Sequence, residues 1–470
     1  MSFLVIWFRG DLPPRAALGQ SQVGPPVELT MVDPDAHAGA TFQSHNQKVV
    51  ANAYGIFMTY LHKQQCCLSI GNSCCDKDDP LCFNPTTQSC RDAGKEITST
   101  WRLSRSTDGG TTFTTVYEGE HGTAPPAVET DSQGNIYLAR TDWFQGGLNS
   151  HVMRFLASNN FQNPTSTTLT GAWGTKFTME IDEARGQLYF FSNSNKFFRV
   201  RLSDLAVIAE YQLLRNGDSA SMQYPYFYLD DNGHLYLAWT TQRNPALNGQ
   251  CGNDHWYWSI QFMRSLDGGV TWVKPNGQRL EPPILADHDG PTDEITPIEE
   301  RCMNTWLSTF LVKGDKIHFV YNAHTTSPRV SRQHYVRYDL AMSRIDRTVF
   351  PDNISIETFS GVLATRRSIK EIFFVGMRNS GNTSSRIVVL KSEDNGLTWR
   401  VHALGPNPIS PTYALGGSPQ VTSDGKIIGS YTESEDFNDP TKPKLAKFFK
   451  VASLAKPSRK DVVFTAGDLE

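Results

Sequence analysis

Short apolar runs, each interrupted by Asp, Gly or Asn, recur through most of the chain, and long amphipathic helical patterns are absent. The unit is plain in YPYFYLDDNGHLYLAWTT (224–241): an apolar run, a turn rich in Asp, Asn and Gly, then a second run mixing aliphatic and aromatic residues. That order predicts two antiparallel strands joined by a tight turn. It occurs seven times, at 45–62, 123–141, 176–193, 224–241, 305–322, 359–377 and 416–433. Most spacings are about 50–60 residues, a period at which repetition signals one architecture built from copies of a unit. They stretch where a cysteine-rich loop and an excursion over 242–302 intervene. The fold expected is all-β, a seven-bladed β-propeller of four-stranded units around a pseudo-axis.

A nine-residue phrase supplies the outer hairpin in three of these units: RSTDGGTTF (105–113), RSLDGGVTW (264–272) and KSEDNGLTW (391–399). Gly110, Gly269 and Gly396 can take φ > 0, which a tight hairpin needs. Asp108, Asp267 and Asp394 can accept hydrogen bonds from turn amides, and Ser106, Ser265 and Ser392 can do so more weakly. Phe113, Trp272 and Trp399 then cover the hairpin with apolar area. The phrase resembles the Asp-box of sialidase-like propellers, which implies a structural role for the three carboxylates. The copies fall in units one, four and six. The seventh unit lacks a strand after KLAKFFKVA (444–452), and either VELTMVD (27–33) or DVVFTA (461–466) is expected to complete it. The boundaries expected are an N-terminal extension over 1–26 and the propeller over 27–470, with a disulfide-rich insertion at 63–97.

Charge narrows the partners. A net charge of −4 leaves no polybasic footprint, so neither nucleic acid nor an anionic membrane is expected. No apolar run reaches membrane-spanning length. FLVIWF (3–8) is short for a signal-peptide core, and no clear small-residue cleavage site follows it, so the start reads as trimmed, misassigned or unconventional. The cysteines point outward. Cys66, Cys67, Cys74, Cys75, Cys82 and Cys90 crowd into CCLSIGNSCCDKDDPLCFNPTTQSC, with no C-x-x-C pair and only His62 close by, which favours disulfides over zinc. Their pairing is open among fifteen arrangements. Cys251 and Cys302 are expected to bridge the excursion between them. Two sequons, at Asn353 and Asn382, agree with a secreted, glycosylated chain, expected to be a monomer.

Propeller geometry sorts the polar residues, because inner-strand starts and second-strand ends share one face. That face is expected to collect His45, Asn46, His62, His121, Arg140, Gln223, Tyr224, Arg243, Asn304, His324, Arg378 and Glu433. Such residues suit a sugar acid, with charge partners for a carboxylate and donors for hydroxyls.

Three function classes follow. A sialidase shares the Asp-boxes, but the family's F/Y-R-I-P motif is missing, since WFRGDLPPR offers Arg9 without Ile-Pro. A non-catalytic carbohydrate-binding propeller would use aromatics such as those of DHWYWS (254–259) for stacking. The third class is a glycan lyase. FQSHNQKVVANAYGIFMTYL (42–61) resembles the first inner strand of the L-rhamnose-α-1,4-D-glucuronate lyases, propellers that trim rhamnose from glucuronate ends of arabinogalactan such as gum arabic. It is also similar to bacterial relatives described as rhamnosidase-like.

The resemblance implies a catalytic role for His45, within SHNQ, and an arginine for the substrate carboxylate. Arg105 is the first choice, with Arg102 and Arg140 competing. Asn46, His62, Arg102, His121, Arg140, Tyr224, Arg243, Asn304 and His324 are expected around the substrate. The partner implied is a rhamnosyl-glucuronate-capped glycan. No cofactor is needed, although the tunnel leaves room for a divalent cation such as Ca2+; no ligand cluster with metal spacing is legible. The residue types fit the chemistry. Removing the C5 proton of glucuronate builds charge beside a carboxylate, which a cation must offset, and histidine can move that proton near neutrality.

Overall fold

The computed structural model describes residues 24–42, 46–68, 95–122, 124–142, 149–218, 220–243, 257–287, 289–300, 303–324, 331–347, 360–366, 370–379, 385–406, 410–436 and 442–454. At residues 63–68, 95–98, 120–122, 142, 243, 299, 324, 331–332, 347, 379 and 413 the description covers the backbone alone.

The strands form seven antiparallel sheets in a ring, a seven-bladed β-propeller with almost no helix. The innermost strands of blades 1 to 7 are Val49–Asn52, Ala127–Thr130, Phe177–Asp182, Ala220–Leu229, Trp306–Lys313, Gly361–Thr365 and Thr412–Gly417. Blade 7 takes its outermost strand from the start of the chain: Val27–Asp33 pairs antiparallel with Leu445–Ala452, with Val27 opposite Val451. Of the two segments weighed for this closure, VELTMVD makes it; DVVFTA lies outside the described residues.

Each blade is packed between two others, so both its faces must be apolar. Ile372–Asn379 shows why its sequence does not alternate polar with apolar. Phe373, Val375 and Met377 pack with Leu415 and Phe449 of blade 7, while Ile372 and Phe374 pack with the core of blade 5. Successive side chains leave a strand on opposite sides, and here both sides are buried. Inner strands are also edge strands, with backbone donors to satisfy. Hydroxyls of the preceding blade serve some of them. Thr178 accepts from the Phe227 amide at 3.0 Å, Thr240 from Leu307 at 3.0 Å, Thr309 from Leu363 at 3.2 Å and Ser360 from Leu415 at 2.9 Å.

The three Asp-box phrases turn between the third and fourth strands of blades 1, 4 and 6. In blade 1 the Ser106 hydroxyl donates to Asp108 at 2.7 Å and accepts from the Gly110 amide at 2.7 Å. Asp108 also accepts from the Thr112 amide and hydroxyl. The same bonds recur at Ser265, Asp267 and Gly269, and at Ser392, Asp394 and Gly396. Each carboxylate is consumed by its own turn. The glycine then lets the hairpin meet a ring on the third strand of the preceding blade. A Cβ on Gly110 would stand 2.4 Å from Phe448, one on Gly269 2.4 Å from Phe197, and one on Gly396 1.9 Å from the Tyr335 hydroxyl.

The excursion after blade 4's second strand is folded in part. Ile284–Leu285 pairs in parallel with Leu214–Arg215, and Asp293–Glu294 joins the third strand of blade 4. The six clustered cysteines, Cys251 and Cys302 have their side chains outside the described residues, as do the sequons at Asn353 and Asn382.

Candidate active site

A propeller offers two faces. One carries the turns between first and second strands together with the Asp-boxes; the other carries inner-strand starts and second-strand ends. Arg105 belongs to the first. It pairs with Phe57, beside the Asn52–Gly55 turn, at the opposite end of blade 1 from Asn46. Its guanidinium donates to the Tyr54 carbonyl at 2.7 and 2.9 Å and to Asn160 at 2.9 Å, over the rings of Phe57 and Phe161. The assignment of Arg105 to a substrate carboxylate among the strand-start residues is therefore corrected: its donors tie blade 1 to blade 2 on the other face.

His62 and Arg102 meet at the ring's seam. His62 Nδ1 lies 2.6 Å from Asp33 Oδ2, and Arg102 reaches Asp33 at 3.2 Å and Glu118 at 2.6 Å. Asp33 ends the strand that closes blade 7. Burial works to raise its pKa, but the His62 hydrogen bond and the charges of His62 and Arg102 hold it below the ordinary value. These two side chains are matched to protein carboxylates.

The mouth of the central tunnel, on the strand-start face, is built differently. Asn46 is 2% exposed, and neither atom of its amide has a hydrogen-bond partner. Thr141, Asn193, Thr305 and Thr412, at inner-strand starts or second-strand ends of other blades, also carry a buried oxygen without a protein partner. Buried polar groups without protein partners take water or ligand. Around blades 3 to 5 stands an aromatic group. The Tyr224 ring stacks on the half-buried Trp306 at 4.2 Å between centroids, and its hydroxyl meets that of Tyr257 at 3.3 Å. Phe42, four residues before Asn46, stands edge-on to Trp306 at 6.4 Å. Tyr224 and Asn304 adopt left-handed backbone, φ 50° and 56°, and Asn304 accepts from the Tyr257 amide at 3.2 Å. A tyrosine at positive φ is strained, and such strain persists where its surroundings over-determine it.

Two lysines stand near this mouth. Lys176 immediately precedes the inner strand of blade 3; its Nζ donates to Gln223 and lies 4.7 Å from the Tyr224 ring centroid. Burial pushes its pKa below lysine's ordinary value. Lys48, fully buried, is pushed further down and donates to the Asn46 carbonyl at 3.1 Å. Within the ring, Glu129 and Glu180 of neighbouring inner strands repel each other, and burial with that repulsion raises Glu129 well above the ordinary carboxyl range. Glu129 accepts from Gln47 at 3.2 Å. Among the described residues no group of three or more His, Cys, Asp and Glu could hold a metal ion.

Of the remaining sequence candidates, Arg140 ends the second strand of blade 2 on the strand-start face, opposite His151. Arg378 is exposed, and Glu433 lies 3.7 Å from Lys447. His121, Arg243 and His324 are placed by backbone only, and His45 lies outside the described residues. Sequence reasoning missed Lys176, Trp306 and the Glu129–Glu180 pair. Lys176 carried a usable signal, since it directly precedes an inner strand.

No protein-family model matches the chain, and no curated protein does. Among solved structures it is similar to one described as a polysaccharide lyase of a new family, the PL25 ulvan lyase. The TM-score is 0.55 at 13% identity, covering 92% of this chain and 96% of that one. A second structure, described as that lyase bound to -[GlcA(1-4)Rha3S]-, gives 0.54 at 13% identity with the same coverage. At that identity the likeness establishes a shared propeller fold.

Proposed function

We propose that this protein is a secreted polysaccharide lyase. It removes terminal α-L-rhamnose from (1→4)-linked D-glucuronate on arabinogalactan such as gum arabic by syn β-elimination, releasing L-rhamnose and leaving Δ4,5-unsaturated glucuronate. The observation that carries this reading is Asn46. It belongs to the SHNQ segment that resembles the rhamnose-glucuronate lyases, and it presents a buried, unpartnered amide at the start of the first inner strand. A propeller of the same shape has been solved as an ulvan lyase bound to -[GlcA(1-4)Rha3S]-, which supports an acidic, rhamnose-containing glycan.

In this reaction His45 takes the C5 proton, and O4 departs with rhamnose after protonation from the same side. C5–H and O4 lie gauche in D-glucuronate, so one residue or two neighbours serve both transfers. A cation offsets the charge that grows at the carboxylate. No water nucleophile is required.

Incubation with gum arabic, following free rhamnose and ultraviolet absorbance together, tests the proposal. Both signals must rise. A second reading, a glycoside hydrolase, has Glu129 in its favour, because a carboxyl whose pKa is raised by burial and a like charge suits a glycosidase acid. A hydrolase frees rhamnose without new absorbance, and a binding propeller frees nothing.

A further inference from the structure

Lys176 lacks something that several lysines of this ring possess. Lys316 sits between Asp315 and Asp339, Lys391 between Glu371 and Glu393, and Lys450 beside Glu28. Lys176 has a neutral amide, Gln223, and the face of Tyr224, with no carboxylate paired to it among the described residues. Desolvating an ammonium without a counter-charge is unfavourable, and burial accordingly depresses its pKa. An arrangement that is unfavourable in the empty protein becomes favourable when an anion arrives.

We propose that Lys176 binds the carboxylate of an acidic sugar whose ring lies against the half-buried Trp306, which Tyr224 backs. The inference rests on the reading of the strand-start face as an acidic-glycan site, and it supplies the charge partner that Arg105 does not. Two features of the site set the ligand class. The neighbours of the ammonium are neutral amides and rings, so one lysine balances one negative charge: a monocarboxylate, whereas a phosphate dianion would call for a second cation. Tyr224 is itself buried, and the half-buried Trp306 on which it stacks offers apolar area to a pyranose face, as aromatic side chains do in sugar sites. The left-handed Tyr224 backbone fixes the ring between the ammonium and Trp306, so that backing is set before the ligand enters.

The test uses methyl β-D-glucuronide and methyl β-D-glucoside, titrated calorimetrically into the wild-type protein and the Lys176→Met and Lys176→Arg variants. Neither probe has a leaving group at O4, so binding is read whether or not the chain is a lyase. The wild type should prefer the glucuronide. Lys176→Met should weaken that binding about 10–100-fold, as for loss of a hydrogen bond to a charged group, with the glucoside unchanged and the melting temperature retained. Lys176→Arg should restore much of the preference. No preference in the wild type, equal loss for both probes, or no change in Lys176→Met overturns the inference. A Lys176-dependent preference with no ultraviolet-absorbing product from gum arabic keeps this subsite and removes the lyase.

Discussion

Asp33 and His62 join at 2.6 Å across the seam where the first strand of the chain closes the last blade. With Arg102 and Glu118 they form an ion network that spans blades 7 and 1. The folded pKa of Asp33 lies below its unfolded value. Its contribution is therefore complete above about pH 3.9, the ordinary aspartate value, and is lost as pH falls through the folded value. Asp33→Asn should lower stability at pH 7 by about 1.5–3 kcal/mol, the worth of hydrogen bonds to a charged group. The deficit should shrink in acid, as pH falls toward the folded value. Denaturant unfolding of both proteins at pH 7 and pH 3 measures it; an equal deficit at both would show that the carboxylate's charge is not what closes the seam.

The Asp-boxes allow a sharper contrast. Gly109 and Gly396 both have positive φ, 70° and 82°. A Cβ on Gly109 meets nothing within 4 Å, whereas one on Gly396 meets the Tyr335 hydroxyl at 1.9 Å and His318 at 2.8 Å. Gly109→Ala should lose about 1–2 kcal/mol, the left-handed penalty alone. Gly396→Ala should lose roughly 2–5 kcal/mol, since overpacking adds to that penalty. Blade 6 already carries a side chain where blade 1 has Gly109: Asn395, at φ 57°. Equal melting shifts for the two variants would contradict the inter-blade contact.

The ring was legible because its unit is local: a turn-punctuated pair of apolar runs recurs often enough to count. Closure was legible only as a choice, since VELTMVD and DVVFTA have the same strand character and tertiary pairing alone selects between them. Arg105 was misplaced although the signal was present. It directly precedes Ser106 of an Asp-box, and Asp-boxes sit at the turn end of a blade. Lys176 is barely legible for another reason: a lysine at a strand end reads as solvated until its partners are known. The Glu129–Glu180 pair is 51 residues apart in sequence, and only the ring brings its members together.

Glu129 separates the two enzymatic readings. Its folded pKa is raised, so its contribution to stability is greatest below about pH 4.3, the ordinary glutamate value, and declines as pH rises toward the folded value. Glu129→Gln removes that decline, and the variant should match the wild type in acid and exceed it at neutral pH. Rhamnose release from gum arabic should be unaffected in a lyase. In a hydrolase that uses Glu129 as its acid, release should fall about 10²–10⁴-fold, the usual worth of general acid catalysis.

The decisive substitution is His45→Ala. If His45 moves the C5 proton, turnover at saturating substrate should fall about 10²–10⁴-fold, and further if one group performs both proton transfers. The loss should fall on kcat, because the histidine acts as the C–H bond breaks and not as the glycan docks. Methyl β-D-glucuronide should still bind, since its carboxylate is held by Lys176 and its ring by Trp306. A histidine that only supports the fold would behave in the opposite way, lowering the unfolding midpoint while specific activity stayed near normal. Near-normal turnover in His45→Ala would remove it from the reaction. Tyr224, strained at φ 50° beside the ammonium, and His121 would then be the groups to replace next, with Tyr224→Phe chosen because it deletes the hydroxyl and keeps the stack on Trp306.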